Sequence, residues 1–165
     1  MPEVICNTYP LQYLHQLGRL DLLPSLVSRV VVPTAVAAEL AEGRRLGLDL
    51  PTPENLPWVD LREAPVASLY PLVAALGPGE TAVLALAVAA TDAIVILDDA
   101  LARRQAETLG LRLTGTLGIL LDAKRAGLIR AVAPLADDLQ RLGFRLSGAT
   151  RQAVLGSAGE GESRD

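Results

Sequence analysis

The stretch that decides the fold is Leu76–Gly115, which reads LGPGETAVLALAVAATDAIVILDDALARRQAETLGLRLTG. A Gly/Pro turn opens a predicted helix that carries Glu80 in its first turn, and the apolar run Ala93–Leu97 follows as a buried strand. That run ends in two adjacent carboxylates, Asp98 and Asp99, and a second predicted helix begins directly after them. The order of helix, strand, acid pair and helix predicts a group of carboxylates at the C-terminal edge of a sheet.

The remainder of the chain repeats this alternation of short apolar runs and helical patterns, which predicts an α/β fold with a parallel sheet and helices on both faces. We expect a single domain over residues 1–155 and a disordered, Gly- and Ser-rich tail over residues 156–165. A further helix is predicted over Val66–Leu76. The predicted strands are Val4–Cys6, Val30–Val32, Trp58–Leu61, Ala93–Leu97 and Leu111–Thr114.

The composition describes an aliphatic protein of modest charge: half of the residues are hydrophobic, only 3% are aromatic, and the net charge is −4. The positive mean hydropathy of +0.33 favours a homodimer or another buried apolar surface. The negative charge argues against a general nucleic-acid coat but leaves room for a local basic rim. A single cysteine, Cys6, excludes an internal disulfide. We expect a cytoplasmic protein without a signal peptide, and without a membrane span because Thr81–Leu97 is too short and polar.

Two glutamates lie on otherwise apolar helix faces. In the predicted helix Pro33–Gly43, Glu39 shares a face with Val36 and Leu40, where a solvated acid is not expected. Glu80 lies in the same way on its own helix, so acids from several elements point toward one place. Carboxylates held close together raise one another's pKa unless a hard cation offsets their charge, and Mg²⁺ or Mn²⁺ is the cation that oxygen ligands favour. Such a site activates water for displacement at phosphorus.

Each acid also has a simpler interpretation. Asp98 or Asp99 is well placed to cap the helix that follows, and Glu80 suits the positive end of its helix dipole. Glu39 is long enough to reach solvent from an apolar face. The combination of acids, rather than any one of them, favours a catalytic or metal-binding interpretation.

Five segments together resemble the PIN-domain superfamily, in a branch made up largely of predicted nucleic-acid-binding proteins. The resemblance extends from about Val4 to about Arg151, nearly the whole chain. The segments are VICNTYPLQYL (4–14), VVVPTAVAAEL (30–40), GETAVLALA (79–87), LDDALARRQAETLG (97–110) and TGTLGILLDAKRAGLI (114–129).

This resemblance implies a three-layer α/β/α sandwich whose sheet of about five strands has the order 3-2-1-4-5. It implies a metal-dependent ribonuclease that cleaves single-stranded RNA with Mg²⁺ or Mn²⁺. It further implies a homodimer, and a toxin role with a small antitoxin protein as partner. By the same resemblance Glu39, Glu80 and Asp99 match the motif acids, and Asp98 lies beside them.

Asn7 departs from the resemblance, because the first-strand position of PIN nucleases usually carries Asp. The amide offers a carbonyl oxygen to a metal but no negative charge, and the bulky Tyr9 replaces a small residue nearby. The alternative is therefore a catalytically weak or inactive module that binds nucleic acid or a partner. A small-molecule-binding α/β domain is a third interpretation. Arg103 and Arg104 are candidate phosphate contacts at the rim, although such residues are more often solvated helix positions.

Overall fold

A five-stranded, all-parallel sheet forms the centre of the computed structural model, which describes residues 2–65 and 75–161. The strand order across the sheet is β3–β2–β1–β4–β5. The strands are β1 Glu3–Cys6, β2 Val30–Pro33, β3 Val59–Arg62, β4 Ala93–Ile96 and β5 Arg112–Thr114.

Helices connect and cover these strands on both sides, so the architecture is a PIN-like α/β/α sandwich. A short 3₁₀ turn, Pro53–Asn55, precedes β3. The helices of the described ranges are α1 Thr8–Gln16, α2 Leu22–Val27, α3 Thr34–Arg45, α4 Pro78–Ala89, α5 Ala100–Thr108, α6 Thr116–Arg125, α7 Ala133–Arg141 and α8 Gly148–Ser157.

The strands are buried because they consist almost entirely of aliphatic residues. All four residues of β2 are buried, as expected for a parallel strand covered by helices on both faces. Among residues 2–65 and 75–161, the largest fully buried side chains are all leucine, isoleucine or valine. Aliphatic side chains therefore form the fully buried core, and Tyr13, Trp58 and Phe144 pack against it while partly buried.

The direction of the strand order reverses at β1, which pairs with β2 on one side and with β4 on the other. Ile5 lies opposite Val31 in β2 and opposite Val95 in β4. The carboxyl ends of β1 and β4 therefore open into a crevice at the topological switch point, the usual place for a site in an open α/β sheet. Asn7 follows β1, and Asp98 follows β4 by one residue.

The predicted fold class, strand number and strand order are confirmed. Most predicted elements shift by one or two residues, and Pro33 is the last residue of β2 and directly precedes α3. The helix predicted over residues 66–76 lies, but for its last two residues, outside the described residues. Within the described ranges, no helix is long and apolar enough to cross a bilayer.

The predicted start of the disordered tail requires correction, because α8 continues to Ser157 and Glu160 is bound in place. The Glu160 carboxylate accepts hydrogen bonds from the backbone N–H groups of Val132 and Ala133 at the start of α7, and from Lys124 Nζ. A carboxylate at a helix N-terminus is stabilised by the helix dipole. The Gly- and Ser-rich composition of this segment gave no indication of these long-range hydrogen bonds.

Candidate active site at the switch point

Asn7 lies at the carboxyl end of β1 with its side chain almost completely buried, at 1% exposure. Its backbone N–H donates to the Ile96 carbonyl at 3.1 Å, which ties this position to β4. Its side-chain Oδ1 is buried without a hydrogen-bond partner, the one such side-chain atom in the described part of the chain. Leaving a buried acceptor unpaired costs about 1–3 kcal/mol, so this oxygen is a candidate to accept a hydrogen bond from a ligand or to bind a cation.

Glu39 reaches from α3 to the N-terminus of α4. Its Oε1 accepts a hydrogen bond from the Gly79 N–H at 2.8 Å, and its Oε2 accepts one from the Thr8 hydroxyl. A Cβ at position 79 would stand only 2.7–2.9 Å from the Glu39 carboxylate, so any larger residue there would displace this carboxylate from the Gly79 N–H. Glu39 is therefore held next to the residue that follows Asn7.

Glu80 lies one residue further into α4, in the first turn, where the helix dipole favours an acid. Its Oε2 lies 2.8 Å from the point where a Cβ on Gly77 would stand, so a second glycine makes room for a second carboxylate. Both glutamates line one cavity of about 390 Å³. The other residues lining that cavity include Thr8, Tyr9, Gln12, Gly43, Leu48 and Leu50.

Asp98 is a half-buried residue whose carboxylate is engaged with the start of α6. Its Oδ1 accepts from the Thr116 N–H at 2.8 Å and its Oδ2 accepts from the Thr116 hydroxyl at 2.6 Å. Burial raises the pKa of Asp98, and the two Thr116 hydrogen bonds and the Arg103 guanidinium oppose that rise. Burial and the charge of Asp98 also raise the pKa of the Cys6 thiol, so Cys6 is a packing residue rather than a reactive thiolate.

Asp99 is exposed and caps α5, because its Oδ2 accepts a hydrogen bond from the Ala102 N–H at 2.9 Å. The simpler interpretation of this acid is therefore correct, and capping does not exclude a second role for the free oxygen. Asp98 and Asp99 together line a cavity of about 610 Å³ with Tyr9, Tyr13, Phe144 and Arg145.

The structure thus divides the predicted four-acid cluster into two pairs. Glu39 and Glu80 line one cavity, Asp98 and Asp99 line the other, and Tyr9 lines both. Among residues 2–65 and 75–161, no three Asp, Glu, His or Cys side chains lie close enough to hold one metal ion together. The pairs are separated because Glu39 and Glu80 lie at the N-terminus of α4, whereas Asp98 is hydrogen-bonded to the start of α6 and Asp99 to the start of α5. Periodicity in the sequence does not reveal this constraint.

The two predicted phosphate contacts differ in environment. Arg103 donates from Nη1 to the Leu97 carbonyl at 2.7 Å and lines a cavity together with Asp98, so it supports the end of β4. Arg104 is exposed on the same helix. Arg145, which the sequence analysis did not single out, lines both cavities that contain Asp98.

Two residues that position the acids were also missed. Thr8 and Thr116 each begin a helix and each donate a hydroxyl to a carboxylate that is distant in sequence. The available signal was that both threonines follow the end of a predicted strand, at the sheet edge where the acids were expected. The ring contact of Tyr13 with Tyr9 had a weaker signal, because the two residues are four positions apart and share one helix face. The contact of Tyr13 with Phe144 had no local signal in the sequence.

The oxygen donors at this edge fit a hard divalent cation in chemical type. The orphaned Oδ1 of Asn7 and the carboxylates of Glu39 and Glu80 are the ligands that Mg²⁺ or Mn²⁺ prefers, and such an ion commonly takes one or two carboxylates and completes its shell with water and phosphate. The fit is to an ion held by few protein oxygens rather than by a dense cluster of acids.

A parallel sheet of order 3-2-1-4-5 with carboxylates on both sides of its switch point defines a class of α/β/α proteins built around an acidic crevice. The family profile described as PIN domain matches residues 3–160. The chain therefore belongs to the PIN-domain family, a nuclease-like superfamily whose members typically use divalent metal ions. No curated protein matches the sequence.

Proposed function

We propose that this protein is a PIN-type, metal-dependent ribonuclease that cleaves single-stranded RNA. The observation that carries the proposal is the buried, unpartnered Oδ1 of Asn7 at a sheet edge that also carries Glu39, Glu80 and Asp99. Family membership supports a nucleic-acid substrate. A role as the toxin of a toxin–antitoxin pair, with a small antitoxin as partner, belongs to the same proposal, as does a homodimer.

In this proposal Asn7, Glu39 and Glu80 hold Mg²⁺ or Mn²⁺ by their oxygens, and Asp98 and Asp99 are auxiliary. A bound divalent cation lowers the pKa of a water and offsets charge on the phosphate. Glu39 is already oriented by Thr8 and by the Gly79 N–H, so its carboxylate requires little reorganisation.

In the proposed mechanism, Asp99 contacts the water and the two arginines contact the RNA. Asp99 keeps one oxygen on the Ala102 N–H, and its other oxygen is available to accept a proton or a hydrogen bond from water. Arg103 and Arg104 contact RNA phosphates, where their attraction weakens as salt rises.

The test is a titration of Mn²⁺ into the purified protein with a generic single-stranded RNA, comparing the native chain with Asp99→Asn. Asparagine retains the helix cap, so the variant should fold and bind Mn²⁺ as the native chain does while cleavage falls. Glu107→Gln is the matched control, because it removes an exposed acid from the same helix. Cleavage that is unchanged in Asp99→Asn contradicts the proposal.

A second candidate function is a PIN-like module that binds nucleic acid or a partner without turnover. It is favoured by the neutral amide of Asn7 and by the division of the acids into two pairs. Cleavage that is absent in the native chain and appears with Mn²⁺ in Asn7→Asp would identify the native protein as the inert form.

A further inference from the structure

The chain has very few aromatic residues, one Trp, three Tyr and one Phe, yet two Tyr and the Phe meet at the acidic edge. Tyr9 and Tyr13 stack with ring centroids 6.3 Å apart and planes inclined by 25°. Phe144 meets Tyr13 edge to face, with centroids 5.1 Å apart. These three residues, here called the aromatic row, connect α1 with the segment between α7 and α8.

Core packing does not account for the outer end of the row. The large fully buried side chains are aliphatic, whereas Tyr9 leaves 47% of its surface exposed at the end of the stack. A half-exposed aromatic ring buries little apolar surface in a core, and its open face can stack against another flat ring. The open ring of Tyr9 is therefore available for stacking.

The surroundings of the row match a nucleotide rather than an apolar ligand. The row lines the cavity of about 610 Å³ that also contains Asp98, Asp99 and Arg145, a volume within the usual range for small-molecule sites. Arg145 is exposed, and its guanidinium forms no ion pair with any residue that the structure describes. An aromatic platform beside a free cation is the combination that binds a base together with its phosphate.

We infer that the aromatic row is a base-stacking subsite for single-stranded nucleic acid, in which a base stacks on Tyr9 and Arg145 contacts the adjoining phosphate. The inference rests on the proposed function for its ligand, and it adds a substrate-binding residue that acts before any cleavage. Because Tyr9 lines both acidic cavities, a base on its ring lies beside both pairs of carboxylates. A duplex, whose bases are already stacked, is excluded from such a platform.

The test measures binding alone, by fluorescence anisotropy of a short labelled single-stranded RNA in EDTA, so that no cleavage occurs. A second oligonucleotide of the same length and charge lacks its bases. The variants are Tyr9→Leu, Tyr9→Phe and Arg145→Gln, and Val88→Ala is the control. Val88 is 46% exposed, close to the value for Tyr9, but lies near the opposite end of α4 from the acidic edge.

Base–aromatic stacking of ordinary strength predicts that Tyr9→Leu weakens binding by about 5- to 150-fold, whereas Tyr9→Phe stays within about twofold of native. The base-free oligonucleotide should bind the native protein and Tyr9→Leu equally weakly. Arg145→Gln should weaken both oligonucleotides and reduce the salt dependence. Val88→Ala should bind as the native chain does, and a single-stranded DNA arm reports whether the sugar matters.

The inference is overturned if Tyr9→Leu binds as tightly as Val88→Ala, or if removal of the bases leaves native binding unchanged. The second result would point to a protein partner or to phosphate contacts alone. Cleavage with Mn²⁺ is measured separately. Base-dependent binding through Tyr9 without any cleavage would refute the ribonuclease proposal and retain the subsite, whereas cleavage with Tyr9-independent binding would do the reverse.

Discussion

Asn7→Asp is the substitution that tests the acidic edge most directly, because it adds the negative charge that the position usually carries in PIN nucleases. Without metal, the new carboxylate is buried at a site that is 1% exposed and whose Oδ1 has no donor. An uncompensated buried charge costs about 3–5 kcal/mol. For a chain of this size each kcal/mol lowers the melting temperature by about 2–4 °C, so the variant should melt about 6–20 °C below native in EDTA.

Mn²⁺ should reverse most of this loss, because a cation that binds only the folded state stabilises it by mass action. At one hundred times the dissociation constant the gain is about 2.7 kcal/mol, or about 5–11 °C. The native chain should respond less, since its amide brings no charge to the ion. The assay is thermal unfolding by circular dichroism in EDTA and across a Mn²⁺ titration, with RNA cleavage measured on the same samples.

Asn7→Leu is the control for loss of the amide group, because leucine has a similar shape but no polar atoms. It removes the orphaned oxygen without adding charge, so its melting temperature should equal or exceed that of the native chain and should not respond to Mn²⁺. The reasoning is refuted if Asn7→Asp melts within about 2 °C of native in EDTA and is unaffected by Mn²⁺, since the position would then be neither desolvated nor near a cation site.

Three further substitutions test individual side-chain contacts, two at the acidic edge and one at the start of α7. Gly79→Ala should destabilise the protein, although alanine is normally better than glycine in a helix by about 1 kcal/mol. The added Cβ would stand 2.7–2.9 Å from the Glu39 carboxylate and would displace it from the hydrogen bonds that it accepts from the Gly79 N–H and the Thr8 hydroxyl. Gly156→Ala in α8, where a Cβ would meet nothing within 4 Å, should be neutral or stabilising in the same urea titration. Glu160→Gln should cost about 2–3 kcal/mol at pH 7, measured by urea unfolding, because it weakens three hydrogen bonds to a carboxylate that is 15% exposed. Burial alone would raise the pKa of Glu160, but the three hydrogen-bond donors lower this pKa overall below 4.5. The stabilisation by the carboxylate is therefore present above pH 4.5 and is lost as pH falls. A stability difference between Glu160→Gln and the native chain that persists in acid would contradict this role of the carboxylate. Burial raises the pKa of the Asp98 carboxyl above its ordinary 3.8, so the stability that this group contributes is complete below pH 3.8 and is lost as pH rises through its folded-state pKa. In EDTA, Asp98→Asn should therefore gain stability relative to the native chain between pH 4 and pH 7. A difference in the free energy of unfolding that stays constant over this range would show that the carboxyl is not desolvated.

The sequence patterns predicted the sheet well because parallel strands leave a strong local record. Val30–Val32 and Ala93–Leu97 are continuous aliphatic runs between helical patterns, as expected for parallel strands that are covered on both faces. The strand order itself came from the resemblance to PIN domains, since no local pattern states which strands are neighbours. Asp99 as a helix cap was among the interpretations that the local sequence supported.

The partners of the acids were not predictable in the same way. Asp98 binds Thr116, eighteen residues away, and Glu39 binds the Gly79 N–H, forty residues away. Helical spacing assigns Glu39 to a face but does not say which helix N-terminus that face meets. Arg103 was predicted to contact phosphate from its charge, and that prediction stands in the proposed function. The hydrogen bond from its Nη1 to the Leu97 carbonyl was not predictable, because it depends on how α5 packs against β4.

By itself, the sequence determined that aliphatic strands alternate with helices and that oxygen-bearing side chains follow the strands, because secondary structure depends on neighbours along the chain. Only the tertiary structure decided that the acids stand as two pairs with Tyr9 between them, and that Asn7 is buried with an unpaired oxygen. The reason is physical. The partner of a buried polar group is set by which helix ends and loops the packed core brings against it, and that arrangement exists only after the sheet has formed.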